Sequence, residues 1–92
     1  MTISNLKIIR RDTLMDRLGM KKTWLADNVA SGLIPPPISL GSRAVGWLDH
    51  EINAVIAARA AHKSDEEVRD LVLALIDQRD FTANQTLECM MP

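Results

Sequence analysis

A mainly α chain with one small β-hairpin is what three features of the sequence predict. Two short helical stretches meet at Gly19 with only about two residues between them. A Pro35-Pro36-Pro37 arm leads into alternating apolar residues around a Gly41-Ser42-Arg43 turn. From Ser64 onward, Val68, Leu71, Val72, Leu75 and Ile76 keep helical spacing without a miss. Together these predict a winged helix-turn-helix followed by a C-terminal amphipathic helix.

The elements follow in order. Leu6-Lys7-Ile8-Ile9-Arg10 is short and rich in β-branched residues, so it reads as a first strand able to pair with the later hairpin. A first helix runs from Arg11 or Asp12 to Leu18, with Leu14, Met15 and Leu18 forming one apolar stripe. Asp12 suits the positive end of its dipole. Gly19 ends it, because a positive φ at that place costs glycine least.

The second helix runs from about Lys21 to Ala30 and stops at Ser31-Gly32. Trp24 or Leu25 with Val29 gives its inner face. Lys21, Lys22 and Thr23 occupy its first turn. The three prolines exclude helix and favour an extended edge. Ile38-Ser39-Leu40 and Ala44-Val45-Gly46-Trp47 are the two arms of the hairpin. It is too short to stand alone, and Trp47 and Leu48 are placed to anchor it.

Asp49 reads as the N-cap of a third helix reaching about His62, with Ile52, Val55 and Ile56 on one face. Ser64-Asp65-Glu66-Glu67 is a capping box that opens a fourth helix to about Arg79. Nothing is periodic from Thr82 onward. The expected organisation is therefore a DNA-binding unit over residues 1–63, an amphipathic helix within 64–81, and a disordered tail over 82–92.

Composition bounds the function. The 92 residues suffice for one small core, and 47% of them are hydrophobic. The core must rest on aliphatic residues, since the chain has two Trp, one Phe and no Tyr. A single cysteine, Cys89, can form no internal disulfide and no cysteine-based zinc site. The N-terminal residues lack a basic stretch followed by an apolar run, and no apolar run approaches the ~20 residues a membrane span needs. A cytoplasmic protein is expected. The net charge of −1 conceals an asymmetry. Residues 1–63 carry nine Lys/Arg against five Asp/Glu, and residues 64–92 carry two against seven. A basic body with an acidic tail suits a nucleic-acid binder.

Catalytic patterns are absent. His50 and His62 are twelve residues apart on one helix and read as exposed surface residues. No metal ligand set, cofactor motif or small-molecule substrate site is evident, and no enzyme is expected. The double-stranded DNA reading gives particular side chains particular roles. Lys21 and Lys22 can reach guanine or phosphate, Thr23 phosphate or a thymine methyl, and Asn28 adenine. Arg43 at the turn can enter a minor groove or clamp a phosphate, and Arg10, Arg11 and Arg17 can add backbone contacts. Asp27 counts against phosphate contact at its own position.

Four stretches carry a family resemblance: Lys7-Ile8-Ile9-Arg10, Leu18-Gly19-Met20, Gly32 to Pro37, and above all Leu40-Gly41-Ser42-Arg43-Ala44-Val45-Gly46-Trp47. Over residues 6–62 the chain resembles the AlpA-type prophage regulators, which are similar to excisionases and to the winged-helix module of MerR proteins. The resemblance implies a transcriptional regulator or excisionase-like factor whose second helix and wing arginine face DNA. Family members carry a Ser/Thr-rich turn and a Tyr-Arg pair where this chain has Lys21-Lys22-Thr23 and Ala26-Asp27.

The fourth helix has two readings. Val68, Leu71, Val72, Leu75 and Ile76 either pack on their own domain or pair with a second copy as a homodimer, and the small size of the DNA-binding unit favours the dimer. The competing function is a protein-interaction adaptor of the same fold that works through its acidic C-terminal helix and ignores DNA.

Overall fold

The computed structural model describes residues 6–90. Residues 1–5, on which the absence of a leader was argued, lie outside the described residues, as do residues 91–92 of the expected tail and the side chain of Cys89.

The chain forms β1 (Ile8–Arg10), α1 (Arg11–Leu18), α2 (Lys22–Ala30), β2 (Ile38–Ser39), β3 (Val45–Leu48), α3 (Asp49–Ala60) and α4 (Asp65–Met90). The strands make one antiparallel sheet in the order β1-β3-β2. Ile9 lies opposite Trp47 and Arg10 opposite Gly46, while Ile38 also pairs with Gly46 on the other side. The first strand thus pairs with the hairpin as its β-branched composition suggests.

Side chains alternate across a strand, so Ile9, Val45 and Trp47 share the face that meets the helices. There they join Leu14 of α1, Leu25 of α2, Ile34 of the proline arm and Ile52 of α3 in the main core. Ile8 and Leu40 meet over Gly46 on the opposite face.

α1 ends at Gly19, whose φ of 66° lets the amides of Gly19 and Met20 return to Asp16 O and Met15 O. α2 begins three residues later, at Lys22, so the pair forms the tight helix-turn-helix the glycine demanded. Asp49 does not cap α3. Strand β3 runs straight into the helix, and the Asp49 amide is still held by Lys7 O at 2.8 Å as an extension of the β1–β3 ladder. Asp49 is accordingly the first helical residue, and its carboxylate is turned towards α1.

The capping box forms as its residues require. The Glu67 amide donates to Ser64 Oγ at 3.2 Å, and the Ser64 amide donates back to Glu67 Oε1 at 3.3 Å. α4 then runs on to Met90 rather than fraying from Thr82. No Gly or Pro interrupts residues 64–91, so the helix propagates where its apolar period fades.

Val68 and Val72 are buried against Val55 of α3 and Leu33, with Leu75 and Ile76 packed at the edge of the same cluster. Leu71 is half-buried. Of the two readings of this stripe, packing on its own domain is what Val68 and Val72 do here, because α3 and the residues leading into the arm offer them an apolar surface. Arg69 also donates to Ser31 O at 2.9 Å, tying α4 to the end of α2.

Candidate nucleic-acid interface

The first turn of α2 is exposed at Lys21, Lys22 and Thr23, and the same outer face continues through Ala26, Asp27 and Ala30. The inner face holds Leu25, Trp24 and Val29 in the main core. Burial of those three leaves the basic first turn outward. Across a shallow cleft of about 300 Å³, Lys22 faces Arg11 from the start of α1, with Leu25, Val29, Pro37 and Trp47 lining it. Two of the expected DNA-contacting cations are thus brought together from different helices.

Arg43 sits at the β2–β3 turn, exposed, with φ of 62°. The hairpin is held at its neck by the Leu40 amide bonding Ala44 O at 2.8 Å. Arg10 is exposed but its Nε donates to Val45 O at 3.0 Å, which binds it along the sheet.

Two expected contacts are placed elsewhere. Asn28 lies on the half-buried side of α2, where its Nδ2 donates to Trp24 O at 2.8 Å. It lines a small cavity with Leu18, Leu33 and Ile52, not the outer face with Lys22. The helical period explains this: Asn28 is four residues from Trp24, on the same inward stripe. Arg17 is bound to Asp49 and, at 2.6 Å, to Asn53 Oδ1, both on α3. The Arg17 guanidinium holds the Asp49 carboxyl below its ordinary value, and the Ser64 amide does the same for Glu67.

One polar cluster escaped the sequence reading. Glu51 of α3 is fully buried, and Arg79 of α4 grips it through Nε to Oε2 at 2.9 Å and Nη2 to Oε1 at 2.6 Å. The signal was present in the periods. Glu51 falls four residues before Val55, and Arg79 seven after Val72, on the inward stripes of their helices. Beside this pair lies an open apolar groove of about 630 Å³ lined by Leu6, Ile38, Leu48, Thr82, Ala83 and Leu87. His50, expected to be exposed, is half-buried on its wall, and its Nδ1 meets no protein partner among the described residues. Among the described residues, no three His, Cys, Asp or Glu converge as a metal site, and no helix is long and apolar enough to cross a membrane.

Two short helices joined at a tight glycine turn, a small arginine-tipped hairpin and a sheet closing on the helices define a winged-helix-like module of mainly α class. A model of the family described as Prophage CP4-57 regulatory protein (AlpA) matches residues 7–60. The chain belongs to this AlpA family of prophage regulatory proteins. It is also 30% identical over 59 residues to the Uncharacterized protein ORF88 of Enterobacteria phage P4, an alignment covering 64% of this chain and 67% of that protein. No solved structure matches the chain.

Proposed function

We propose that this protein is a sequence-specific binder of double-stranded DNA, acting in the cytoplasm as a prophage or genomic-island transcriptional regulator or excisionase-like factor. α2 enters the major groove, and Arg43 of the hairpin rests on the backbone or in the minor groove. The observation that carries this reading is the outward basic first turn of α2, with Arg11 facing Lys22 across the cleft. Backbone amides at that helix start add their partial positive charge to the cations. Family membership agrees with a regulatory role.

The refined contact set is Lys21, Lys22, Thr23, Arg11 and Arg43. Asn28, half-buried, is bonded to Trp24 O, and Arg17, though exposed, is bonded to Asp49 and Asn53, so both drop from it. Selection of bound fragments from a random DNA pool, followed by binding over a salt series, tests the reading. Each lost phosphate contact should flatten the slope of log K against log salt by about 0.9 units, so Lys22→Ala and Arg43→Ala should each do so. Failure to enrich any sequence at low salt would sink it.

The adaptor reading has one observation in its favour. The outer face of α4 carries Asp70, Asp77 and Asp80, with Leu73 and Phe81 more than half exposed. It predicts an α4-dependent protein complex whose assembly is indifferent to Lys22→Ala.

A further inference from the structure

The route from α2 to the hairpin passes through Pro35, Pro36 and Pro37, which have no amides to donate. The carbonyls of the first two are nevertheless held. Trp47 Nε1 donates to Pro35 O at 2.9 Å from inside the core, and Arg79 Nη2 donates to Pro36 O at 3.0 Å from α4. Two successive carbonyls are thus pinned by different elements. Beyond them β2 is a two-residue edge strand: β3 is held by β1 and the core, but β2 meets the sheet at only Ile38 and Ser39. The β2 side of the turn that carries Arg43 therefore depends on how the arm is fixed as well as on its pairing with β3.

Arg79 is itself fixed by the fully buried Glu51. Nη2 uses both of its hydrogens, one on Glu51 and one on Pro36. With Nε on the other carboxylate oxygen, one planar guanidinium meets three acceptors in fixed directions; lysine's single ammonium has donors enough but no second nitrogen to grip the carboxylate side-on and so aim the first at Pro36. As a mere tether for α4 the pair would be a poor choice. Burying the Glu51 carboxylate and most of the Arg79 side chain is costly, and apolar side chains of similar volume often serve stability equally well. α4 already has Val68, Val72 and the Arg69 bond for that purpose. What the ion pair adds is a hydrogen bond to the arm.

We propose that Arg79, oriented by Glu51, is a positioning residue for the wing, so that α4 sets where Arg43 meets the DNA. This rests on the DNA-binding reading above.

The test uses Glu51→Leu with Arg79→Leu, which removes both charges and leaves no orphan. Binding to a DNA fragment selected by the wild-type protein is measured over a salt series, with and without Arg43→Ala, and with and without Lys22→Ala. The leucine pair should weaken binding and flatten the salt slope by about the 0.9 units that loss of the Arg43 contact costs. Adding Arg43→Ala to it should then change nothing further, while Lys22→Ala should cost the same in either background. Thermal unfolding of each variant shows whether the fold is kept. If the leucine pair unfolds, Arg79→Lys is compared in the same cycle. It keeps the charge but loses the two-nitrogen grip that aims the donor at Pro36 O, so it should show the same non-additivity with Arg43→Ala. Additive losses with Arg43→Ala, or unchanged binding by the leucine pair, would overturn the proposal and leave the DNA reading intact. No DNA binding by the wild-type protein overturns both.

Discussion

Arg17 of α1 is bonded to Asp49, the first residue of α3, and its second terminal nitrogen reaches Asn53 one turn further along. One guanidinium thus fixes the angle between the helix that precedes the glycine turn and the helix that follows the hairpin. On the DNA-binding function proposed above, this gives Arg17 a different job from Lys22, although both are cations of the basic body. Arg17→Ala should lower the urea midpoint and leave the salt slope of DNA binding unchanged. Lys22→Ala should do the reverse. A flattened slope in Arg17→Ala, with the midpoint unmoved, would return Arg17 to the DNA interface.

The same contact makes a pH prediction. The carboxyls of Asp49 and Glu67 titrate below their ordinary values of 3.8 and 4.5, through Arg17 and through the Ser64 amide respectively. A carboxyl depressed in the folded state adds stability that is present above its unfolded value and is lost as pH falls through the folded one. Urea midpoints should therefore hold steady near neutrality and fall from about pH 4.5 downward. Asp49→Asn and Glu67→Gln should each be less stable at pH 7 and should each flatten that acid limb. An unchanged acid limb in both variants would show that the two contacts carry no pH dependence.

Trp47 is 2% exposed, yet its indole has one polar atom to satisfy, and Pro35 O satisfies it. Trp47→Phe keeps most of the apolar volume and strands the Pro35 carbonyl in the core. Leaving a buried acceptor unmet costs about 1–3 kcal/mol, and the lost ring volume adds to that. Equilibrium unfolding, followed by circular dichroism, should report a destabilisation at or above that range. A loss well below ~1 kcal/mol would mean that the arm finds another donor.

These contacts mark the boundary of what the sequence discloses. Local chemistry was readable: Gly19 at the end of α1, the Ser64–Glu67 box and the strand character of Ile8–Arg10 each follow from residues near one another. The hairpin carried the family resemblance for the same reason. Long-range pairing was not readable. Arg17 and Arg79 look like surface cations until α3 is placed beside them, and Asn28 looks available until Trp24 fixes the inner side of α2. The stripe on α4 was legible as apolar, but which surface covers it depended on Leu33 and Val55, far away in sequence. Absence of apolar period past Thr82 did not keep α4 from running to Met90, since the segment has no Gly or Pro and extends a helix already formed and packed upstream.

Gly46 lies on the central strand, where it pairs with Arg10 on one side and Ile38 on the other. A Cβ added there would sit 2.5 Å from Ile8 Cγ2, 3.1 Å from Ile9 O and 3.2 Å from Leu40 Cδ1. Leu40 can swing aside, but Ile8 is β-branched and has little rotamer freedom on a strand. Gly46→Ala should therefore destabilise the protein by about 1–3 kcal/mol, as overpacking does. It should also spread β1 from β3. Ile8→Ala removes the nearest atom, so in combination with Gly46→Ala it should recover part of the loss and show a coupling of about 0.5 kcal/mol or more. Recovery should be partial, because the carbonyl of Ile9 belongs to the backbone and stays at 3.1 Å. Strict additivity of the two substitutions would place the strain somewhere other than the Ile8 contact.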